Sequence, residues 1–143
     1  MKRQQNKGFY YATHQIGEYY YKVAKDYKEA FKWYMQAAEP ESFDTAKNTV
    51  GNMYYRGHGV EKNIEEAVKW YKMAAKDKNI EGMEFEGDQW AQYNLASCYH
   101  YGEGVKQNYQ KALKWYQKSA DQGNKKAKEA LKKLREITDL LGI

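Results

Sequence analysis

Small and aromatic residues recur along the chain at helical spacing, separated by charged residues. Three segments read Ala-x-Lys-Trp-Tyr and lead into two small residues; they begin at Ala30, Ala67 and Ala112. A second stretch precedes each segment, and its anchors follow at spacings that place them on one helical face. The anchors are Ala12, Ile16, Gly17 and Tyr20, then Ala46, Val50, Gly51 and Tyr54, then Ala91, Leu95, Ala96 and Tyr99. Each unit is therefore predicted to be two short amphipathic helices, which must stack because neither buries its apolar stripe alone.

The connector inside the unit also repeats. The second unit carries Gly57-His58-Gly59-Val60, and the third carries Gly102-Glu103-Gly104-Val105. Glycines at this spacing suit backbone positions of positive φ at a helix end, and the valine is expected to pack back onto the helix pair. The first unit lacks this loop, and its turn around Lys25-Asp26 is predicted to be three residues shorter.

These residues make the chain similar to the Sel-1-like repeat family, relatives of the tetratricopeptide repeats. The family pattern is Ala-x-x-x-Leu-Gly-x-x-Tyr-x-x-Gly-x-Gly-Val, followed by Lys-Ala-x-x-Trp-Tyr-x-x-Ala-Ala. The third unit meets it almost fully, with Ala96 in the Gly place, and the second has Val50 for Leu and Glu66 for Lys. The first unit departs at the loop. The resemblance covers about residues 9–135 and implies an all-α fold, an α-solenoid of three helix-turn-helix repeats that binds other proteins.

The chain is predicted to form a single domain over 1–143, with two departures from the repeat. The repeats cover about 9–38, 46–75 and 91–120, and an acidic insertion, 79–88, separates the second from the third. A last amphipathic stretch, 125–141, is predicted to be a capping helix with a polar outer face. Residues 125–135 include six basic residues and one acidic residue. The net charge of this segment is therefore +5, the same as the net charge of the whole chain.

The amino-acid composition and the distribution of apolar residues exclude several other classes of protein. One proline in 143 residues favours helices over a β-sandwich, and a single cysteine excludes an internal disulfide. No apolar stretch approaches the roughly 18 residues that cross a bilayer, and the basic start, residues 1–7, is not followed by the apolar stretch of a signal peptide. The cytoplasm is therefore the default expectation for its location.

A partner protein or peptide is expected on the concave face, which the first helices of such stacks line. By register with the related repeats, residues there that are not repeat anchors form four columns. The predicted groove residues are His14, Asn48 and Tyr93; Glu18, Asn52 and Ser97; Tyr21, Tyr55 and His100; Lys22, Arg56 and Tyr101. Tyrosine offers apolar area with a hydrogen-bonding tip, and Arg56 and Lys22 suit a carboxylate. In the acidic insertion the candidate contact residues are Glu81, Met83, Glu84, Phe85, Glu86 and Asp88.

Other functions stay open at this point. An immunity-type inhibitor that neutralises a toxin domain would use the acidic insertion against a basic partner, and a nucleic acid or other anionic polymer would use the basic last helix. Self-association through the ends of the stack is a further expectation. An enzyme is not expected: Cys98 and His100 lie two apart on one predicted helix and point in different directions. We expect no cofactor, no metal and no membrane partner.

Overall fold

The computed structural model describes residues 7–41 and 43–143; the first six residues of the predicted domain lie outside that range. Seven helices follow one another among these residues, with one two-stranded hairpin between the fourth and the fifth. They are α1 (Lys7–Lys22), α2 (Tyr27–Ala37), α3 (Asp44–Arg56), α4 (Ile64–Ala75), β1 (Lys78–Ile80), β2 (Met83–Phe85), α5 (Gln89–Tyr101), α6 (Tyr109–Asp121) and α7 (Lys125–Leu141). The prediction of an all-α helical-repeat solenoid is confirmed.

Side-chain caps determine where most of these helices begin. Five of them start after an Asp or Asn whose side-chain oxygen accepts a hydrogen bond from the backbone N–H three residues later. The capping residues are Asp26, Asn63, Asp88, Asn108 and Asn124. At the other end, α3, α5 and α7 stop at a glycine in the left-handed conformation.

Each helix packs mainly on its neighbours in the chain, as expected of a solenoid. The tyrosine of the Trp-Tyr pair lies at the centre of each unit. Tyr34, Tyr71 and Tyr116 are at most 3% exposed. Small residues surround them and bring the helix axes close. Gly51 illustrates this, because a Cβ atom there would lie 2.7 Å from the ring of Tyr71.

The Gly-x-Gly loop joins one unit to the unit before it. Gly59 (φ +78°) lies against the backbone of Tyr27 at the start of α2, and Gly104 (φ +70°) lies against Ile64 at the start of α4. Val60 and Val105 pack against the core clusters, as predicted. The first connection, 23–26, is three residues shorter than the seven-residue connections 57–63 and 102–108.

The acidic insertion folds as a β-hairpin, which the sequence pattern did not predict. Lys78 pairs with Phe85 and Ile80 with Met83 in antiparallel register. Glu81 and Gly82 both have positive φ, 54° and 82°, as a two-residue hairpin turn of type I′ requires. Hydrogen bonds hold its base: Lys78 Nζ lies 2.7 Å from Asp44 Oδ1, and the backbone N–H of Gly87 donates to Asp77.

The anchors of α1 differ from those of the later units in one respect. Ala46, Val50, Ala91 and Leu95 are at most 1% exposed, because the second helix of the preceding unit covers them. In the first unit the corresponding residues, Ala12 and Ile16, are exposed. This face of α1 has no helix packed on it among the described residues, so the repeat position alone does not bury Ala12 and Ile16.

Candidate functional site

The first helices α1, α3 and α5 are tied side by side by polar residues, and two predicted groove residues take part. His14 Nε2 lies 3.3 Å from Thr49 Oγ1, and Asn94 donates to Asn48 Oδ1 at 3.0 Å. These bonds join equivalent positions of successive units. His14 and Asn48 are at most 8% exposed, so the structure corrects the expectation that they face a partner: they form the wall of the stack.

A second tie uses tyrosines on the same helices. The Tyr21 hydroxyl lies 2.8 Å from His58 Nδ1, and the Tyr55 hydroxyl donates to Glu103 Oε1 at 2.9 Å. His58 and Glu103 hold the same place in the Gly-x-Gly loop of the next unit. The hydrogen bond to Glu103 is the main cause that raises the pKa of Tyr55 to about 12. His100, at the third position of this column, instead bonds the Tyr116 hydroxyl of its own unit at 3.1 Å.

We expect Tyr55→Phe to lower the free energy of unfolding by about 1 kcal/mol, because it removes one charge-assisted hydrogen bond between units at a half-buried position. Urea denaturation followed by circular dichroism measures this loss. Tyr101→Phe is the matched control, since Tyr101 is 64% exposed, and its unfolding midpoint should not move. If the two substitutions lowered the free energy of unfolding equally, the hydrogen bond between Tyr55 and Glu103 would not contribute to holding the units together.

The column at Glu18, Asn52 and Ser97 is half-buried. Glu18 lies 3.8 Å from Lys22. Asn52 Oδ1 accepts a hydrogen bond from the Tyr71 hydroxyl at 2.7 Å, and the Ser97 side chain acts to lower the pKa of Tyr116 against the larger effect of burial, which raises it. Tyr93, also half-buried, lies between the rings of Trp90 and Tyr116. Most of the polar groups of the predicted groove are therefore used inside the stack, either within one unit or between successive units.

The last column is the part that reaches solvent. Lys22, Arg56 and Tyr101 occupy the same position at the ends of α1, α3 and α5, and all three are exposed. We call them the exposed column. Arg56 donates to the Tyr21 hydroxyl at 3.3 Å, and the Tyr101 ring stacks on His100 with centroids 4.1 Å apart. Burial lowers the pKa of His100, so the positive charge of this face comes from Lys22 and Arg56.

Sequence reasoning missed an aromatic residue at the opposite ends of the first helices. Trp90 is 45% exposed, and the Lys126 ammonium lies 6.0 Å from its ring. Tyr11 holds the equivalent place in the first unit and is 62% exposed. Each directly precedes the opening alanine of its unit. This position, which Trp90 and Tyr11 share in the repeat, is the feature of the sequence from which these exposed aromatic residues could have been predicted.

The hairpin divides the six predicted contact residues into three environments. Glu81, Met83, Glu84 and Glu86 are exposed, and Phe85 is half-buried. We call Glu81, Met83 and Glu84 the hairpin tip. Asp88 lies at the base, where it caps α5 and accepts a bond from Thr45 at 3.5 Å. The structure therefore corrects the grouping of Asp88 with the contact residues.

In the described part of the chain, the residues considered above for catalysis or metal binding do not form a catalytic or metal-binding site. Cys98 is 2% exposed, and burial raises the pKa of its thiol to about 12, so it stays protonated at neutral pH. Within 7–41 and 43–143, no three His, Cys, Asp or Glu side chains are grouped to hold a metal ion. Over the same residues, no helix has the length and apolar character to cross a membrane.

The outer face of α7 mixes both charges. Lys125, Lys128 and Lys132 are exposed, but so are Glu129, Glu136 and Asp139, and Lys133 pairs with Glu129 at 3.2 Å. Ala127, Leu131, Leu134 and Thr138 face α6 and are buried. The first turns of this outer face are charged, as predicted for a capping helix, but Ile137, Leu140 and Leu141 near its end are exposed and apolar.

Stacked helix pairs whose first helices contact one another define a helical-repeat solenoid of the tetratricopeptide-like class. The Sel1 repeat family model matches residues 9–39, 46–79 and 91–124, and the chain belongs to the Sel1 repeat family. Repeats of this family are generally non-catalytic protein-interaction modules.

Solved structures agree with this assignment. The chain is 34% identical to a Sel1 repeat protein from Oxalobacter formigenes, with a TM-score of 0.77 over 94% of this chain and 50% of that one. It is 31% identical to c5321, a protective antigen of uropathogenic Escherichia coli strains with an SLR fold, with a TM-score of 0.73 over 90% of this chain and 26% of that one. Cysteine rich protein B of Helicobacter pylori shares the fold at 19% identity, with a TM-score of 0.65 over 91% of this chain and 95% of that one. The chain thus spans half or less of the length of the first two of these relatives. No curated protein sequence matches it.

Proposed function

We propose that this protein is an adaptor whose concave face binds an acidic segment of a partner protein through the exposed column. The supporting observation is that Lys22, Arg56 and Tyr101 share one repeat position and remain exposed, whereas neighbouring columns are used inside the stack. Two cations and an aromatic ring at the same repeat position of three successive units suit an extended chain that carries carboxylates, because Arg binds carboxylates with directed N–H donors and Tyr adds apolar area.

Charge reversal tests this proposal. We expect Arg56→Glu and Lys22→Glu each to lower the amount of bound partner at least about tenfold, which corresponds to about 1.4 kcal/mol. Partners are captured from a host lysate on immobilised protein, identified by quantitative mass spectrometry, and then titrated as purified segments. Lys69→Glu is the matched control: Lys69 lies on α4 with its side chain 73% exposed, compared with 68% for Lys22.

The result also separates the adaptor from the inhibitor hypothesis. An inhibitor of a basic toxin would lose its partner on Glu84→Lys at the hairpin tip and keep it on Arg56→Glu. Binding that is unaffected by the exposed column, or lost equally with Lys69→Glu, would overturn the proposed site. A polyanion site on α7 would instead be revealed by binding to duplex DNA that falls steeply with salt.

A further inference from the structure

Two of the three histidines lie where the first unit meets the second, and we call this contact the first junction. His14 of α1 bonds a residue of α3, and His58, in the loop of the second unit, bonds a residue of α1. The contact between the second and third units is the second junction, and it has Asn48 and Glu103 at the equivalent positions. His100 bonds a tyrosine of its own unit. The first junction therefore differs from the second in containing groups that become positively charged in mild acid.

His14 is held as a neutral imidazole inside the first junction. It is 6% exposed, and its ring centroid lies 5.3 Å from that of Tyr34 on α2 and 5.6 Å from that of Phe43. The Thr49 hydroxyl donates its own hydrogen to a backbone carbonyl of α3, so it accepts the bond from His14, whose hydrogen is therefore on Nε2. A second proton would have to go to Nδ1 and would bring a positive charge into this enclosed aromatic environment.

The charged groups around His14 do not compensate for that charge. On α1, Glu18 favours the charged imidazole and Lys22 disfavours it, but burial has the largest effect and lowers the pKa of His14. In residues 39–47, from the connection before α3 and its first turn, the charged side chains are paired with one another or exposed; they are Glu39, Glu41, Asp44 and Lys47. A lowered pKa means that the unfolded chain takes up the proton first. Stability is therefore fully present above about pH 6.5 and is lost as the pH falls below it.

His58 is sensitive to a proton because of the direction of its hydrogen bond. Its Nδ1 lies 2.8 Å from the Tyr21 hydroxyl, which accepts a bond from Arg56 at 3.3 Å. Arg56 has only donors, so the hydrogen of the hydroxyl itself is free to be donated to His58 Nδ1. The imidazole also stacks on Tyr27 with centroids 4.4 Å apart. A proton on Nδ1 would reverse the hydrogen bond and leave one hydroxyl between two positively charged groups.

We infer that the first junction is a pH-sensitive contact, which opens in mild acid when His14 and His58 take up protons, while the second junction stays closed. At the equivalent positions the second junction has an Asn–Asn and a Tyr–Glu hydrogen bond, and neither pair gains a positive charge in this range. Lys22 and Arg56 lie on opposite sides of the first junction. Its opening therefore also changes the spacing of these two cations of the exposed column.

Nuclear magnetic resonance of the isotopically labelled 143-residue chain between about pH 7.5 and 5 tests this inference without any partner protein. The backbone amide signal of Thr49, at the first junction, should shift or broaden together with the imidazole signals of His14, and that of Asn94, at the second, should not. In urea denaturation the folding equilibrium constant should fall on the order of tenfold from about pH 6.5 to 5. The double variant His14→Asn with His58→Glu has the residues of the second junction at both positions, and it should lose this fall.

His100→Gln is the matched control, because burial also lowers the pKa of His100 but its bond to Tyr116 lies within one unit. This variant should keep the acid response of the Thr49 signal. If the double variant does not fold, each single substitution should reduce the fall in the folding equilibrium constant. The inference is overturned if the Thr49 and Asn94 signals change together, which indicates general acid unfolding. It is also overturned if the variants with a substituted junction histidine lose stability in parallel with the unchanged chain.

Discussion

Gly59→Ala should be among the most damaging single substitutions in this protein, lowering the free energy of unfolding by about 4 kcal/mol. Gly59 has a φ of +78°, and a Cβ atom there would overlap the carbonyl group of Tyr27 at the start of α2. The neighbour is backbone, so it cannot rotate away. The loop must lift from the preceding unit, which also separates His58 from Tyr21 and opens the packing of Val60.

Gly82→Ala separates the two causes of this loss. Gly82 has nearly the same φ, +82°, but nothing lies within 4 Å of the position of its Cβ. It therefore carries the backbone strain alone, about 1 kcal/mol. Urea denaturation of the two variants gives the difference. If Gly59→Ala cost no more than Gly82→Ala, the contact between the loop and α2 would not contribute to the stability of the stack.

The helices could be predicted because their information is local. Anchors at helical spacing, an Asp or Asn before five of the helices and glycines after three of them lie within a few residues of the elements they define. Burial depends instead on what lies beside the helix. Ile16 and Val50 hold the same place in the pattern, yet Ile16 is 38% exposed and Val50 is buried, because one unit precedes Val50 in the stack and none of the described residues covers Ile16.

The site was predicted as a set of positions, and the structure shows how those positions differ. His14, Asn48 and Tyr55 were placed on the concave helices, but their bonds to Thr49, Asn94 and Glu103 depend on how one unit is set against the next. That register cannot be derived from spacing within one helix. The hairpin was missed for a related reason: strands of three residues are too short to show an alternating pattern, and Glu81-Gly82 is a weak turn signal on its own.

Alkaline solution should unfold the protein steeply, because the centre of each unit is a buried tyrosine. Burial raises the pKa of Tyr34, Tyr71 and Tyr116 well above the ordinary value of about 10. A raised pKa in the folded state means that the stability is fully present below about pH 10 and is lost as the pH rises, since the unfolded chain releases these protons first. Three groups losing about 1.4 kcal/mol each per pH unit give a loss of about 4 kcal/mol by about pH 11.

A buried lysine acts in the opposite direction at slightly lower pH. Lys47 is 7% exposed, and burial is the main cause that lowers its pKa to about 8. The unfolded chain then binds more protons than the folded one between about pH 8 and the ordinary lysine pKa of about 10.4, so stability rises with pH in that range. The two contributions together predict a maximum of stability at about pH 9 to 10, followed by the steep fall.

Urea denaturation from about pH 7 to 11, with tyrosinate absorbance recorded in parallel, measures this profile. Tyr34→Phe keeps the ring and removes one titrating hydroxyl, so it should reduce the slope above about pH 10 by about 1.4 kcal/mol per pH unit. Tyr101→Phe removes an exposed hydroxyl and should leave the slope unchanged. If the two variants lost stability in parallel above that pH, general charge repulsion, and not the buried tyrosines, would account for the alkaline unfolding.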